Sequence, residues 1–116
     1  MTITGEMLIG GTAVRGREAE LQALDPSSGQ AIGPVFGGGG RDEVELACRL
    51  AAQAFDSYRE TLPEQRARFL ETIAEGLVDL GPALVERVMA ESGLPKARLE
   101  GERGRTVGQL RLFAER

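Results

Sequence analysis

The side chains best suited to binding chemistry lie near the end of the sequence, where basic residues recur among glycines. The basic residues are Arg98, Arg103, Arg105 and Arg111, and glutamates stand at positions 100 and 102. One interpretation is a solvated helix face on which these charges form mutual ion pairs. The alternative is a binding site: the stretch carries three glycines, at positions 101, 104 and 108, and each costs a helix about 1 kcal/mol relative to alanine. Close helix approach, or room for a ligand beside Arg105, would account for them.

A second candidate is the glycine run Gly37–Gly40, which lies between a predicted strand and a predicted helix. Phosphate groups bind at such positions when backbone N–H groups at a helix start point toward them. The spacing argues against this use, because the last glycine of a GxGxxG motif beginning at Gly37 would fall on Asp42. The GK[ST] ending of a P-loop is also missing. We therefore interpret the run as a flexible strand-to-helix connection, with phosphate binding as the minor alternative.

Cys48 is the only cysteine in the chain, which contains no histidine. It falls among apolar residues spaced for one helix face, so we predict a small buried core residue rather than a reactive thiol. A catalytic cysteine needs a base to activate it, and no histidine can serve as that base. With one cysteine and no histidine, the chain also lacks the usual ligands of a zinc site. No spacing singles out a pair of carboxylates, so we predict no catalytic residue, cofactor ligand or metal ligand in this chain.

The composition excludes several classes of partner. The 116 residues carry a formal net charge of −4 and no run of basic residues, so nucleic acid is not expected as a partner. No apolar stretch approaches the roughly 20 residues of a membrane span, and the N-terminus lacks the features of a signal peptide. A single cysteine fits a reducing compartment. We expect a cytoplasmic protein of one domain, with no membrane partner.

The first forty residues favour short antiparallel strands. Met7–Val14 contains two apolar segments around Gly10-Gly11, a two-residue turn signal that predicts a β-hairpin. Leu21–Leu24 and Ala31–Phe36 predict a second strand pair. Between these strands lies the sequence DPSSG, whose proline and glycine are typical of a tight turn.

From residue 41 onward the apolar spacing is helical. The first helix is predicted to begin with Asp42 as its N-cap, and its apolar stripe consists of Val44, Ala47, Cys48, Ala51, Phe55 and Tyr58. Thr61 and Glu64 match a capping box for the second helix. The buried face of that helix is predicted as Phe69, Leu70, Ile73, Leu77 and Leu80.

Two further helices are predicted after Gly81. Pro82 begins the third helix, which Gly93 ends in the left-handed conformation. The fourth helix follows Pro95 and continues to the final residue, with apolar points at Leu99, Val107, Leu110 and Phe113. Because no Gly, Asn or Pro closes this helix, we expect the chain to be part of a longer protein.

Taken in order, these segments resemble the N-terminal part of an aldehyde dehydrogenase. Leu8-Ile9-Gly10-Gly11 resembles the family's opening strand and turn, and Asp25–Gln30 resembles its N-P-x-T-G-E turn. Further along, the matching segments are Ala51–Phe55 and Pro63–Ala67 (the paired helices), Glu91–Pro95 (E-T-G-K-P) and Leu110–Ala114 (L-R-x-[FY]-[AY]). One departure is Ala13-Val14, where the family usually has a tryptophan. The resemblance implies an α/β, aldehyde-dehydrogenase-like fold, here two short antiparallel β-hairpins followed by four or five α-helices.

The run Leu99–Leu110 resembles one branch of that family more specifically. Enzymes of this branch oxidise α-ketoglutaric semialdehyde (2,5-dioxopentanoate) to α-ketoglutarate with NADP or NAD. Arg105 falls near a position that lines the substrate channel in the family. The resemblance therefore implies that Arg105 binds the substrate, because a guanidinium can pair with the carboxylate of a keto-acid aldehyde.

The resemblance also implies what this chain would lack. In the family, a cysteine thiolate attacks the aldehyde, hydride passes to the nicotinamide, and a glutamate-activated water hydrolyses the thioester. These residues lie beyond position 116, and Cys48 does not match the nucleophile. The chain would be the N-terminal part of the cofactor-binding domain (residues 1–40 hairpins, 41–116 helices), without the catalytic domain, inactive alone and binding no NADP or NAD. Its implied partners are the remainder of the enzyme, a small-molecule aldehyde and further copies in a homo-oligomer.

An alternative of a different class remains open. The four predicted helices could form a self-contained interaction module, without catalysis, whose exposed apolar stripes bind a partner protein. Cooperative two-state unfolding as a monomer would favour that alternative, whereas the segment of a longer enzyme should leave apolar faces uncovered.

Overall fold

A computed structural model describes residues 1–116. It contains four strands and four helices, which confirms the predicted order of two antiparallel hairpins followed by helices. The strands are β1 Met7–Ile9, β2 Thr12–Val14, β3 Glu20–Leu24 and β4 Ala31–Gly37; the helices are α1 Arg41–Arg59, α2 Pro63–Asp79, α3 Gly81–Ser92 and α4 Lys96–Ala114. The chain divides into two compact units. The hairpin unit comprises residues 2–24 and 29–60, and the helical unit comprises Met1 with residues 25–28 and 61–116.

The first hairpin pairs β1 with β2 in an antiparallel register that matches Met7 with Val14 and Ile9 with Thr12. Its two turn residues are Gly10 and Gly11, with φ values of 61° and 77°. Positive φ at both central residues gives a turn whose twist matches that of the flanking strands. Side chains other than Gly, Asn and Asp rarely adopt this conformation, so the Gly-Gly pair accounts for the hairpin.

The second hairpin pairs β3 with β4, matching Leu21 with Phe36 and Leu24 with Ala31. Its register shifts between Leu21 and Ala23. In the predicted DPSSG turn, Asp25 Oδ1 accepts hydrogen bonds from Ser27 N at 2.8 Å and Ser27 Oγ at 2.6 Å. An aspartate that accepts from its own backbone two residues on is a standard way of closing a turn.

Glycines let three segments of the hairpin unit pack backbone to backbone. The buried residues of this unit are Gly5, Gly16 and Gly37. Gly37 N donates to Gly5 O at 3.1 Å, and Gly38 N donates to Ala19 O at 2.6 Å. A Cβ at Gly16 would overlap the carbonyl oxygen of Gly38. Part of the glycine run therefore has a packing role, which replaces the predicted flexible connection.

The start of α1 and its burial both differ from prediction. The helix begins at Arg41, so its N-cap is Gly40 rather than Asp42. Glu43 Oε2 accepts the Gly40 N–H at 2.8 Å, which satisfies a backbone donor that the helix leaves open. No residue of α1 is buried, and Cys48 is exposed. The prediction that Cys48 is a buried core residue is therefore wrong.

The second helix is also shifted slightly from its prediction. Its N-cap is Leu62 rather than Thr61, and Gln65 rather than Glu64 returns to the cap, where Gln65 Oε1 accepts the Leu62 N–H at 2.8 Å. Thr61 instead accepts hydrogen bonds from Arg66 at both its carbonyl and its hydroxyl oxygen. The predicted buried face is confirmed in part, since Leu70, Leu77 and Leu80 are half-buried. Ala74 is fully buried, whereas the predicted core residues Phe69 and Ile73 are exposed.

The apolar core lies in the helical unit, where α2 packs mainly against α4 and α3 also contacts α4. Its buried side chains are Ala74, Val85, Leu99 and Val107. Gly93 ends α3 with φ 71° and donates its N–H to Met89 O at 2.9 Å, which confirms the predicted left-handed ending. Pro95 precedes α4, which ends at Ala114 rather than at the last residue. None of the helices combines the length and the apolar character needed to cross a lipid bilayer.

Candidate functional site

The basic residues of α4 divide into those that support the fold and those that do not. Leu99, Arg103 and Val107 recur at four-residue intervals and lie on the face of α4 that packs in the helical unit. Arg103 Nη1 donates to Gly81 O at 2.8 Å, across 22 residues of sequence. Arg103 is therefore a structural residue, a role that neither sequence interpretation assigned to it.

The outer charges of α4 form the ion pairs expected of a solvated face. Arg98 Nε lies 2.9 Å from Glu102 Oε1, and Lys96 Nζ lies 3.9 Å from Glu100 Oε1. Such exposed pairs contribute from zero to about 1 kcal/mol each. Arg105 is exposed and takes part in none of the ion pairs. Arg105 lies two residues after Arg103, which corresponds to a rotation of about 200° around the helix axis. Its side chain therefore extends from the side of α4 away from the packed face.

The three glycines of α4 lie opposite its packed face. A Cβ at Gly101, Gly104 or Gly108 would meet no atom of this chain within 4 Å. The close helix approach offered as one reason for these glycines is therefore not made within this chain.

A cleft of about 180 Å³ opens in the helical unit beside α4. Its apolar walls come from all three helices, and its polar edge is formed by α4; the lining residues are Leu77, Leu84, Val85, Val88, Leu99, Glu102, Arg103 and Thr106. Arg105 does not line this cleft. Because Glu102 is paired with Arg98 and Arg103 is bonded to Gly81, the charged groups at its edge are already engaged.

The glycine run Gly37–Gly40 does not fit a phosphate group. Three of its four backbone N–H groups already have acceptors: Gly5 O, Ala19 O and the Glu43 carboxylate. The Glu18 side chain also approaches Gly40, where a built Cβ would lie 2.8 Å from Glu18 Oε1. Carboxylates at both sides of this helix start would repel an anion. The geometry thus rejects the phosphate alternative on grounds beyond the spacing of the motif.

The remaining titratable groups form no catalytic constellation. Cys48 is exposed on α1, in a chain without histidine. No three residues of the histidine, cysteine, aspartate and glutamate types cluster as a metal site would require. Asp25 has a lowered pKa, because the Ser27 hydroxyl and the Ser27 backbone N–H both donate to its carboxylate. This shift accompanies turn formation and does not mark a reactive group.

Two structural anchors were missed from sequence. In the hairpin unit, Arg15 donates from Nη2 to Val35 O at 3.1 Å and from Nη1 to Thr4 O at 3.4 Å. In the helical unit, Ala74 is the most buried of the core side chains. Neither residue carries a local signal, since a lone arginine after a strand and an alanine in a helix are both common. Only the strands and helices that surround them reveal their roles.

The order of hairpins and helices, and the order of the motifs along them, agree with a match between this chain and a protein-family model. Residues 13–116 match the aldehyde dehydrogenase family. The chain therefore belongs to the aldehyde dehydrogenase family, whose members are oxidoreductases, and the resemblance noted from its motifs is confirmed.

Two curated relatives are similar over almost the whole chain. The alpha-ketoglutaric semialdehyde dehydrogenase 2 of Azospirillum brasilense is 60% identical over 115 residues, which cover 98% of this chain and 22% of the relative. The alpha-ketoglutaric semialdehyde dehydrogenase of Acinetobacter baylyi is 41% identical over 111 residues, covering 96% and 21% respectively. The chain thus spans about a fifth of the length of these relatives.

A solved structure shares the fold. The NAD-dependent benzaldehyde dehydrogenase from Corynebacterium glutamicum matches with a TM-score of 0.88 over 97% of this chain and 25% of its own. The sequence identity is 22%, so the likeness concerns the fold alone. It confirms that two small hairpins followed by four helices form an aldehyde-dehydrogenase-like arrangement.

Proposed function

We propose that this chain is the N-terminal segment of an NAD(P)-dependent aldehyde dehydrogenase that oxidises α-ketoglutaric semialdehyde to α-ketoglutarate. The observation that carries the proposal is the 60% identity to the Azospirillum brasilense enzyme over 98% of the chain. A second relative, named for the same activity, is 41% identical. The motif run Leu99–Leu110, which resembles this branch, supports the same substrate.

In this proposal the chain supplies scaffold rather than chemistry. Residues 1–40 contribute the hairpins and residues 41–116 the helices of a cofactor-binding domain, and other parts of the polypeptide supply the nucleophile and the base. The nicotinamide cofactor, NADP or NAD, is held elsewhere, since three of the four backbone N–H groups in the glycine run of this chain already have acceptors. Alone, the chain is inactive in this proposal, because its single cysteine, Cys48, does not match the family's nucleophile and the base also lies elsewhere in the polypeptide.

Arg105 is the residue of this chain that we assign to the substrate. It is exposed, unlike Arg103, and free of the ion pairs that engage Arg98. An exposed guanidinium outside these ion pairs can form a bidentate pair with a carboxylate, and the proposed aldehyde carries one carboxylate. The neighbouring glycines leave the surface beside it open.

A chimera tests the proposed function. Residues 1–116 replace the matched segment of the Azospirillum brasilense enzyme, and NAD(P)H formation is followed with α-ketoglutaric semialdehyde. We expect turnover and a KM close to those of the parent enzyme. A control chimera carries the matched segment of the Corynebacterium glutamicum benzaldehyde dehydrogenase, which shares the fold at 22% identity, and should lose preference for the keto acid. A folded first chimera that does not oxidise the semialdehyde contradicts the proposal.

The alternative of a self-contained helical module has weaker support. The buried apolar core consists of four side chains, Ala74, Val85, Leu99 and Val107. Many large apolar side chains, such as Phe69 and Phe113, are exposed. Two-state unfolding of the free chain as a monomer, without binding of a hydrophobic dye, would favour the module. Dye binding or self-association would favour the segment of a larger enzyme.

A further inference from the structure

Glu102 lies between two arginines of α4 and pairs with only one of them. Arg98 Nε lies 2.9 Å from Glu102 Oε1, whereas Arg105 takes part in none of the ion pairs. The two arginines are seven residues apart, about 20° short of two full turns, so they lie on the same side of the helix. Residues three and four apart are neighbours on a helix surface. The Glu102 carboxylate is therefore within reach of either guanidinium.

The other surface neighbours of Arg105 on α4 carry no charge. The positions three and four residues away from it hold Gly101, Glu102, Gly108 and Gln109. The two glycines have no side chain, and the glutamine is neutral. Glu102 is thus the one carboxylate at these positions, and it is the local group that would compete with a substrate carboxylate for Arg105.

The order of the charges makes the pairing with Arg98 informative. A glutamate that precedes its basic partner along a helix is the better arrangement, because it agrees with the helix dipole. Glu102 precedes Arg105 but follows Arg98, so the pair found in the structure has the less favourable order. The sequence alone would allow a pair between Glu102 and Arg105, and the structure contains the pair with Arg98 instead.

We propose that Arg98 is a positioning residue, which keeps Arg105 available to the substrate by holding the Glu102 carboxylate. This inference rests on the proposed function, because it takes Arg105 as the residue that binds the carboxylate of the aldehyde. The side chains of Arg98 and Glu102 are 62% and 46% exposed. Exposed pairs are weak, so loss of Arg98 should reduce the affinity for the carboxylate by about two- to fivefold.

Replacement of Arg98 in the chimera with the Azospirillum brasilense enzyme tests the proposal. Arg98→Ala releases Glu102, and we expect KM for the semialdehyde to rise about two- to fivefold with kcat unchanged. KM for a neutral aldehyde of similar length should stay the same. Lys96→Ala is the matched control, because it also removes one positive charge from α4 and breaks a pair, with Glu100 at 3.9 Å. Glu100 is five residues before Arg105 and is not its surface neighbour, so neither KM should change.

A double substitution distinguishes the released carboxylate from the lost cation. Arg98→Ala combined with Glu102→Gln has the net charge of the parent and leaves no competing anion, so it should restore the parent KM. Arg98→Lys keeps a cation beside Glu102 and should also keep KM near the parent value. An unchanged KM in Arg98→Ala overturns the proposal. A rise that the double substitution does not reverse, or an equal rise for the neutral aldehyde, overturns it as well.

The Arg105 Nε–H resonance in NMR spectra of the free chain gives a readout that needs no substrate. Arg98→Ala should shift this resonance, because the Glu102 carboxylate then pairs with Arg105, and the added Glu102→Gln should reverse the shift. A chimera that does not oxidise the semialdehyde, with the shift present, contradicts the proposed function and supports the competition for Glu102. An active chimera in which Arg98→Ala alters neither the resonance nor KM preserves the proposed enzyme and overturns the inference.

Discussion

Arg103 and Gly81 link the last helix to the junction between the second and third helices. The guanidinium Nη1 donates to the Gly81 carbonyl oxygen at 2.8 Å. Gly81 has φ 60°, which is the left-handed conformation that separates α2 from α3. Gly81 is the first residue of α3, so the charged donor fixes the start of that helix against α4. The hydrogen bond thus joins three helices at one point.

Loss of this donor should destabilise the helical unit. Arg103→Ala removes a partly buried, charge-assisted hydrogen bond, and we expect a loss of about 1.5–3 kcal/mol in the free energy of unfolding. Urea denaturation followed by circular dichroism measures the change. The matched control is Arg105→Ala on the same helix, whose exposed side chain makes no such bond; it should stay within about 0.5 kcal/mol of the parent. Equal losses at both positions would show that Arg103 acts only through its charge.

The hairpin unit should be sensitive to a methyl group at Gly16. A Cβ there would overlap the Gly38 carbonyl oxygen, and neither backbone can shift without disturbing the hydrogen bond from Glu18 N to Gly38 O. Overpacking of this kind costs about 1–3 kcal/mol, so Gly16→Ala should lower stability by that amount. Gly33→Ala serves as the control, since a Cβ at Gly33 meets nothing within 4 Å. Hydrogen exchange at Gly38 N would locate the effect in the hairpin unit.

The hairpins and helix ends were predictable because their causes are local. Gly10-Gly11 supplies the conformation of its own turn, and Gly93 ends α3 through a bond to a residue four positions back. The caps were displaced by one or two residues. Gly40 and Leu62 offer no capping side chain, and their N–H groups are satisfied by Glu43 and Gln65 instead.

Burial was less predictable because it depends on what packs against a face. Apolar spacing identified an apolar stripe on α1 that contains Cys48, but spacing alone does not show whether a stripe is buried, and no residue of α1 is. In α2 the same spacing favoured Phe69, which is exposed, whereas the fully buried residue of that helix is Ala74. Arg105 was singled out by the family resemblance and by open space beside glycines, and its role remains a prediction.

The turn at Asp25 should respond to acid. Hydrogen bonds from the Ser27 hydroxyl and backbone N–H lower the pKa of the Asp25 carboxyl in the folded chain. A folded-state pKa below the unfolded value of about 3.9 gives a stabilising contribution that is present above that pH. The contribution is lost as the pH falls through the lowered pKa. NMR titration of the Asp25 side-chain carbon should give a midpoint below its ordinary value. Ser27→Ala should raise that midpoint, and Ser57→Ala, in α1, should not change it.

A glycine-to-alanine substitution in α4 should stabilise the free chain. Gly104 lies within the helix, and a Cβ there meets no atom within 4 Å. Alanine is favoured over glycine in a helix interior by about 1 kcal/mol, so Gly104→Ala should raise the free energy of unfolding by that amount. The same substitution in the chimera distinguishes two reasons for the glycine. Lower stability there would indicate close approach by another segment, and an equal gain would show that the glycine has no packing role.

The role of Arg105 is best tested by comparing two aldehydes in the chimera. If its guanidinium pairs with the substrate carboxylate, Arg105→Ala removes a charge-assisted interaction worth about 1.5–3 kcal/mol, which corresponds to a rise in KM of about tenfold or more. The KM for a neutral aldehyde of similar length should change little, because it has no carboxylate to lose. Lys96→Ala is the matched control, since Lys96 lies on the same helix and pairs with Glu100 at 3.9 Å; it should affect neither substrate. Arg105→Lys should recover part of the loss, as lysine keeps the charge without the bidentate geometry. A rise in KM of equal size for both aldehydes would contradict pairing between Arg105 and the substrate carboxylate.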